Sequence, residues 1–269
     1  MNRLGIELLS VLGLPPVDHV RLAAELGCTF LSTGLHRIPD AFNPNGYPDW
    51  SLRDDPALRR EMIAAMRGSG VSISLGEGFA VRPGQAMADK ARDFDLMAEL
   101  GARGIGGIVM EPDVPRAYDE FALLVEMAAA RGMLATIEFA PPHPVGDLAS
   151  ALALVDHIGR PDLRVLIDAM HFFRSGGTVD MLRALDPARI GYAQLCDVPL
   201  VSDRDYMEEA MTGRLAPGQG ELPLADFVAA LPADVPIGLE MPRFAEAKSG
   251  LSPAAILHPA VEAARRLGA

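Results

Sequence analysis

Four polar side chains, each closing a short apolar run, are placed to hold a hard cation: Glu138 in ATIEFAP, Asp168 in VLIDAMH, Gln194 in GYAQLCD and Glu240 in IGLEMP. A carboxylate or amide at the end of a buried run is costly to desolvate unless it is paired or bound to metal. One such residue alone would be accounted for by a satisfied polar group in a core; four at equivalent positions in consecutive runs would not. Three carboxylates and an amide oxygen are hard donors, so the expected cation is one Mg2+ or Mn2+, in preference to Zn2+, Co2+ or Cu2+.

A second tier of residues stands close by in sequence. His171 and Arg174 follow Asp168 in DAMHFFRSGG, Asp197 follows Gln194, and His143 lies in PPHPVG just beyond Glu138. Arg214, in GRLAPGQGELPL, precedes a Pro-Gly turn and is placed to clamp a substrate oxygen. Glu7, His36 and Glu77 lie in or just after the first three apolar runs and are expected on the opposite wall. Taken singly, each of these also reads as a loop cap or a solvated side chain. Tyr47 and Trp50 offer an apolar lid face, or simply the packing of a loop. Ser175, Gly176 and Gly177, before a helix, are a candidate phosphate contact.

The elements that must carry these residues alternate. Strand-like runs rich in Val, Ile and Leu are expected at 4–9, 30–35, 71–75, 105–110, 134–139, 164–170, 190–196 and 236–241. Amphipathic stretches at 17–26, 56–67, 85–100, 116–130, 147–158, 179–185, 223–231 and 253–267 read as helices. Several end on a glycine stop followed directly by the next strand: Leu-Gly-Cys at 26–28, Gly-Ser-Gly at 68–70, Leu-Gly-Ala at 100–102 and Arg-Gly-Met at 131–133. Eight such βα units close more naturally into a (β/α)8 TIM barrel than into an open sheet, and no GxGxxG follows the first run. The fold class expected is therefore α/β, with residues 1–269 as one barrel domain. Two long loops, 37–55 and 198–222, fall on the side where barrel enzymes build their sites.

Composition narrows the partners. With 269 residues, 49% hydrophobic and 22% charged, the chain is ordinary globular protein near the roughly 250 residues of a single barrel. A net charge of −12 without a basic cluster argues against nucleic-acid or membrane-surface binding. Cys28 and Cys196 form no CxxC, which fits a reducing cytoplasm, and the opening MNRLGIELLSVLGLPP is too short for a membrane span and lacks a small-residue cleavage site.

Across nearly its whole length the sequence resembles the xylose isomerase-like TIM-barrel superfamily. That group includes sugar phosphate isomerases and epimerases, ketohexose 3-epimerases, inosose and 3-dehydroshikimate dehydratases, and the endonuclease IV branch. The resemblance is carried by IEFAP, by the DxxHxxR of Asp168, His171 and Arg174, by QLCD, by RLAPGQGELPL and by LEMPR. It implies metal ligands at Glu138, Asp168 and Glu240, with Glu138 and Glu240 also as the acid/base pair. Gln194 departs from the epimerases, which have His there, and looks like some dehydratase-type members. The first expectation is thus a metal-dependent isomerase or epimerase of a sugar-like hydroxyketone acting through an enediolate. The alternative is a dehydratase of a cyclic hydroxyketone such as an inosose or 3-dehydroshikimate. A repair nuclease is disfavoured by six histidines and the acidic charge, and a metal-free binding protein by the intact carboxylates. A homodimer is an expectation of the resemblance alone.

Overall fold

In the computed structural model, which describes residues 2–269, eight parallel strands close on themselves in chain order, each hydrogen-bonded to the next and the last to the first. The order is β1 (Leu4–Ile6), α1 (Pro16–Glu25), β2 (Phe30–Thr33), α2 (Pro56–Ser69), β3 (Ser72–Val81), α3 (Ala91–Leu100), β4 (Gly104–Val109), α4 (Val114–Ala129) and β5 (Leu134–Glu138). It continues with α5 (Leu148–Ile158), β6 (Leu163–Asp168), α6 (Ala169–Arg174), α7 (Val179–Ala184), β7 (Ile190–Leu195), α8 (Tyr206–Thr212), α9 (Leu224–Ala230), β8 (Ile237–Leu239), α10 (Phe244–Lys248) and α11 (Pro253–Arg266).

Local chemistry accounts for most boundaries. Asp55 caps α2 through the N–H groups of Ala57 and Leu58, with Pro56 at the first helical position, and Asp147 with Ser150 forms a reciprocal capping box on α5. All four predicted glycine stops take left-handed conformations: Gly27 (φ 67°), Gly70 (75°), Gly101 (80°) and Gly132 (74°). The main apolar core lies between strands and helices, while Leu75, Leu166 and Tyr192 form a small cluster of their own. No helix among the described residues is long and apolar enough to cross a membrane, and both cysteines are free and buried.

Three departures from the sequence pattern bear on the site. Strand β3 runs on to Val81 rather than ending at Leu75, with a register shift against β4 between Gly76 and Phe79 and Gly78 at φ 91°. Such an irregularity re-aims a side chain, and here Glu77 joins the cavity lining. Strand β6 stops at Asp168 instead of Met170, because Asp168 caps α6 by accepting from the His171 N–H at 2.8 Å. The loop after β7 contains a helix of its own, α8, capped by Asp205 on the N–H groups of Met207 and Glu208.

Candidate active site

Side chains alternate across a strand, so residues two apart share a face. The register pairs Leu166 with Tyr192 and Asp168 with Gln194, then Gln194 with Gly238. Apolar Leu166 and phenolic Tyr192 thus lie one step below the polar pair Asp168 and Gln194. Gly238 has a specific task, since a Cβ built on it would fall on the Glu7 carboxylate. The missing side chain leaves room for a fully buried acid from β1's end. Above this floor opens a cavity of about 610 Å3 with apolar walls that include Leu35, Phe79, Ile108 and Met211.

Arg214 organises the carboxylates. Its Nη1 donates to Asp168 Oδ2 at 2.6 Å and lies 2.8 Å from Glu240 Oε2, and its Nε donates to the Ala210 carbonyl at 2.9 Å. Burial alone would raise the Asp168 carboxyl, but Arg214, His171 and the cap hydrogen bond together bring it below its ordinary value. Burial likewise works against the Arg214 cation, yet Asp168 and Glu240 hold it well above the usual guanidinium value. Glu138 is raised well above the carboxylate range by burial and by the charges of Glu240 and Asp168, and Glu240 is raised mainly by burial.

Beside this cluster His171 and Tyr206 form a dyad, with Nδ1 and the phenol oxygen 2.6 Å apart. Arg214 Nη2 lies 3.3 Å from His171 Nε2. A guanidinium can only donate, so Nε2 accepts and the proton of the neutral ring sits on Nδ1. Nδ1–H therefore donates to the Tyr206 oxygen, which leaves the phenol's own hydrogen for another acceptor. Burial holds His171 down to about 4, in keeping with a neutral ring, and raises the Tyr206 phenol above its ordinary value. Glu138 Oε1 is 3.5 Å from His171 Nε2, with its side chain 22% exposed toward the cavity.

A second acidic group lies on the other side of the floor. Ligand atoms of Glu7, Glu77 and Glu240 fall within 4.8 Å of one another. Tyr192 donates to Glu7 at 2.6 Å, and Gln194 Nε2 reaches Glu7 and Glu240, each at 3.3 Å. The Gln194 amide oxygen is buried with no hydrogen-bond partner. Burial raises Glu7, and burial together with the Glu7 charge raises Glu77 well above the usual range.

The structure brings most of the expected residues together. Glu138, Glu240, His36, His143, His171 and Arg214 line the cavity, and Asp168, Gln194 and Glu7 lie beneath or beside it in contact with lining residues. Two expected substrate contacts are placed elsewhere. Arg174 points away from the cavity and grips Glu209 of α8 with two bonds of 3.0 and 2.9 Å, while also donating to the carbonyls of Pro199 and Leu200. Asp197 is consumed by the backbone, accepting from the N–H groups of Val198, Gly218 and Leu222 at 2.9, 2.9 and 3.1 Å, which holds the loop that delivers Arg214. Trp50 is no lid either: it is buried and donates to the Gly13 carbonyl at 3.1 Å. Ser175 to Gly177 and Tyr47 lie outside the cavity lining. Tyr206 was not singled out in the sequence, although the Asp205-x-x-Glu208 spacing before it is a helix-start signal.

The xylose isomerase-like TIM barrel family model matches residues 20–267. A 3-dehydroshikimate dehydratase of Pseudomonas putida is 30% identical over 193 residues, which cover 65% of this chain but only 29% of that protein. The chain therefore spans less than a third of that relative's length. Among solved structures, a xylose isomerase-like TIM barrel/4-hydroxyphenylpyruvate dioxygenase fusion protein superposes with a TM-score of 0.75 at 23% identity, covering 98% of this chain and 41% of that one. The IOLI protein with a binding zinc atom superposes with a TM-score of 0.75 at 15% identity, covering 99% and 96%. With eight strands closed in sequence order and the family model spanning all but its ends, the chain belongs to the xylose isomerase-like TIM barrel family.

Proposed function

We propose that this chain is a divalent-metal-dependent lyase that removes water from a small cyclic hydroxyketone. The donor set fits a hard cation: the Gln194 amide oxygen is buried without a partner, and Glu138 and Glu240 are raised by burial and by neighbouring negative charge. Glu138, Asp168, Gln194 and Glu240 would hold it, and it would supply electrophilic polarisation of a substrate carbonyl while favouring the ionised state of these carboxyls.

The observation that carries the reading is the unequal state of the two candidate bases. Glu240 has one oxygen against Arg214 at 2.8 Å and the other accepting from Gln194 at 3.3 Å, whereas the Glu138 side chain makes no hydrogen bond among the described residues and, with one oxygen toward the cation, would keep the other for the substrate beside the His171–Tyr206 dyad. One available base next to one oriented donor matches elimination better than proton return from the opposite face. Glu138 takes the proton from the carbon next to the carbonyl, and that C–H electron pair moves into the carbonyl system. As the pair returns to form the new C=C bond, the C–O bond at the β-carbon breaks. Tyr206 hands its free hydroxyl hydrogen to the departing oxygen, which leaves as water, and His171 Nδ1–H steadies the phenolate that remains. The Pseudomonas putida relative, named for a dehydration, supports the same order of readings. These observations favour elimination, the alternative expected from the residues, over isomerisation.

The isomerase or epimerase reading retains one observation, that Glu138 and Glu240 both line the cavity from separate strands. The two are separated in D2O with Mn2+ or Mg2+ and a panel of cyclic hydroxyketones. Elimination gives a conjugated product visible in the ultraviolet; deuterium entering the substrate without water loss would overturn the lyase reading. Glu138→Gln should keep the fold and lower turnover by about 10²–10⁴-fold.

A further inference from the structure

The floor of the cavity is acidic and the whole chain carries −12, yet besides Arg214, which is taken up by Asp168 and Glu240, two further cations stand on its wall: Arg53, from the loop after β2, and Lys90, from the turn before α3. Both face Asp93 on α3. Arg53 Nε donates to Asp93 Oδ1 at 2.6 Å, and Lys90 Nζ lies 3.7 Å from Oδ2, beyond hydrogen-bond reach. One carboxylate, 11% exposed, thus orients two cations that remain 34% and 41% exposed, with the charge of Asp54 acting on Arg53 without an ion-pair contact.

The arginine is firmly held. Its N–H donates to the Leu35 carbonyl at 3.2 Å, and its own carbonyl accepts from Arg92 at 3.1 Å and from Arg59 at 3.4 Å. With Nε committed to Asp93, neither terminal nitrogen has an acceptor among the described residues. Such a fork, its stem fixed and its donors free, is pre-organised for a planar bidentate anion. An anion entering an acidic protein toward carboxylates needs such an anchor on the far wall. A neutral polyol has no use for it.

We propose that Arg53, assisted by Lys90, is the recognition site for a carboxylate on the substrate. The substrate is then a cyclic hydroxyketone acid rather than a neutral inosose or free sugar, an inference that rests on the lyase reading for the ring and on the wall geometry for the acid. A phosphate group matches less well. Two cations that already share the Asp93 carboxylate suit a monoanion, and the Ser-Gly-Gly segment that could have offered backbone donors to phosphate lies outside the cavity lining.

Binding tests the subsite without turnover. Shikimate and its methyl ester share the ring and its hydroxyls and differ in the charge and one methyl group, and both lack the ketone needed for reaction. Titration calorimetry on the metal-loaded protein should give the acid at least tenfold tighter binding than the ester. Arg53→Gln should abolish most of that preference while changing ester affinity by less than twofold, and Lys90→Gln should lower acid affinity about threefold. The subsite is overturned if wild type binds acid and ester equally or binds neither, if Arg53→Gln weakens both alike, as a mere tether to Asp93 would, or if inorganic phosphate displaces shikimate at equal concentration. Failure of the lyase reading looks different: acid preferred through Arg53, but 3-dehydroshikimate exchanging its proton in D2O without losing water. A neutral inosose dehydrated as well as 3-dehydroshikimate would sink the subsite and leave the lyase.

Discussion

Replacing Arg174 by methionine should free helix α8 while leaving the barrel folded. Arg174 makes two bonds to Glu209 and two to loop carbonyls, and the Glu209 side chain is only 4% exposed. Stranding a buried carboxylate costs about 3–5 kcal/mol. A helix of seven residues has little stability of its own, so its detachment is the cheapest relief. A loss of about 3 kcal/mol in the local opening free energy corresponds to roughly a hundredfold faster amide exchange over residues 206–212. Hydrogen exchange read by mass spectrometry measures this directly, and Tyr206 should lose its contact with His171 in step. Adding Glu209→Gln removes the stranded charge and should restore part of the protection, giving a coupling energy between the two sites. Unchanged protection of α8 alongside a large fall in global stability would refute the reasoning, as would no change in either.

His19 is buried, its Nε2 has no partner, and burial holds its ring down to about 4 from 6.5. Between those values the unfolded chain takes up a proton that the folded chain refuses. Its contribution is therefore complete above pH 6.5 and is lost as the pH falls toward 4, by about 3 kcal/mol at most. Urea midpoints at pH 7 and 4.5 should converge in His19→Met relative to wild type; an equal drop in both proteins would refute this. Both thiols are buried, with Cys28 pushed up to about 11 and Cys196 higher still, so a thiol reagent at pH 8 should titrate neither in the native protein and both in guanidinium. Gly238→Ala should displace Glu7 from Tyr192 and Gln194 and destabilise by about 2–4 kcal/mol, read by denaturant unfolding, with an unchanged midpoint as the contrary result.

The parts of the site legible in the sequence are those set by one strand at a time. Glu138, Asp168, Gln194 and Glu240 each break an apolar run, so position alone singled them out. Arg174 and Asp197 stood equally close to the chemistry, but the partners that claim them lie far along the chain. Glu209 is 35 residues on from Arg174, and Gly218 and Leu222 are 21 and 25 on from Asp197. No local pattern distinguishes a substrate-facing arginine from one that fastens a loop. Glu77 was placed near the wall without a mechanism, because its aim depends on how β3 slips against β4. The barrel itself was legible, since each βα unit repeats an apolar run and an amphipathic stretch, and four of the stretches end on a glycine stop.

Residues 199–223, between β7 and α9, carry Tyr206, Met207, Met211 and Arg214 as one continuous stretch of chain, whereas its two fasteners lie upstream, Arg174 at the end of α6 and Asp197 just after β7. Donor oxygens and the proton donor thus travel on separable pieces of the polypeptide. New selectivity can arise by exchange of a single peptide between related barrels, provided that the recipient keeps an arginine and an aspartate at these two moorings and the incoming piece brings its own glutamate.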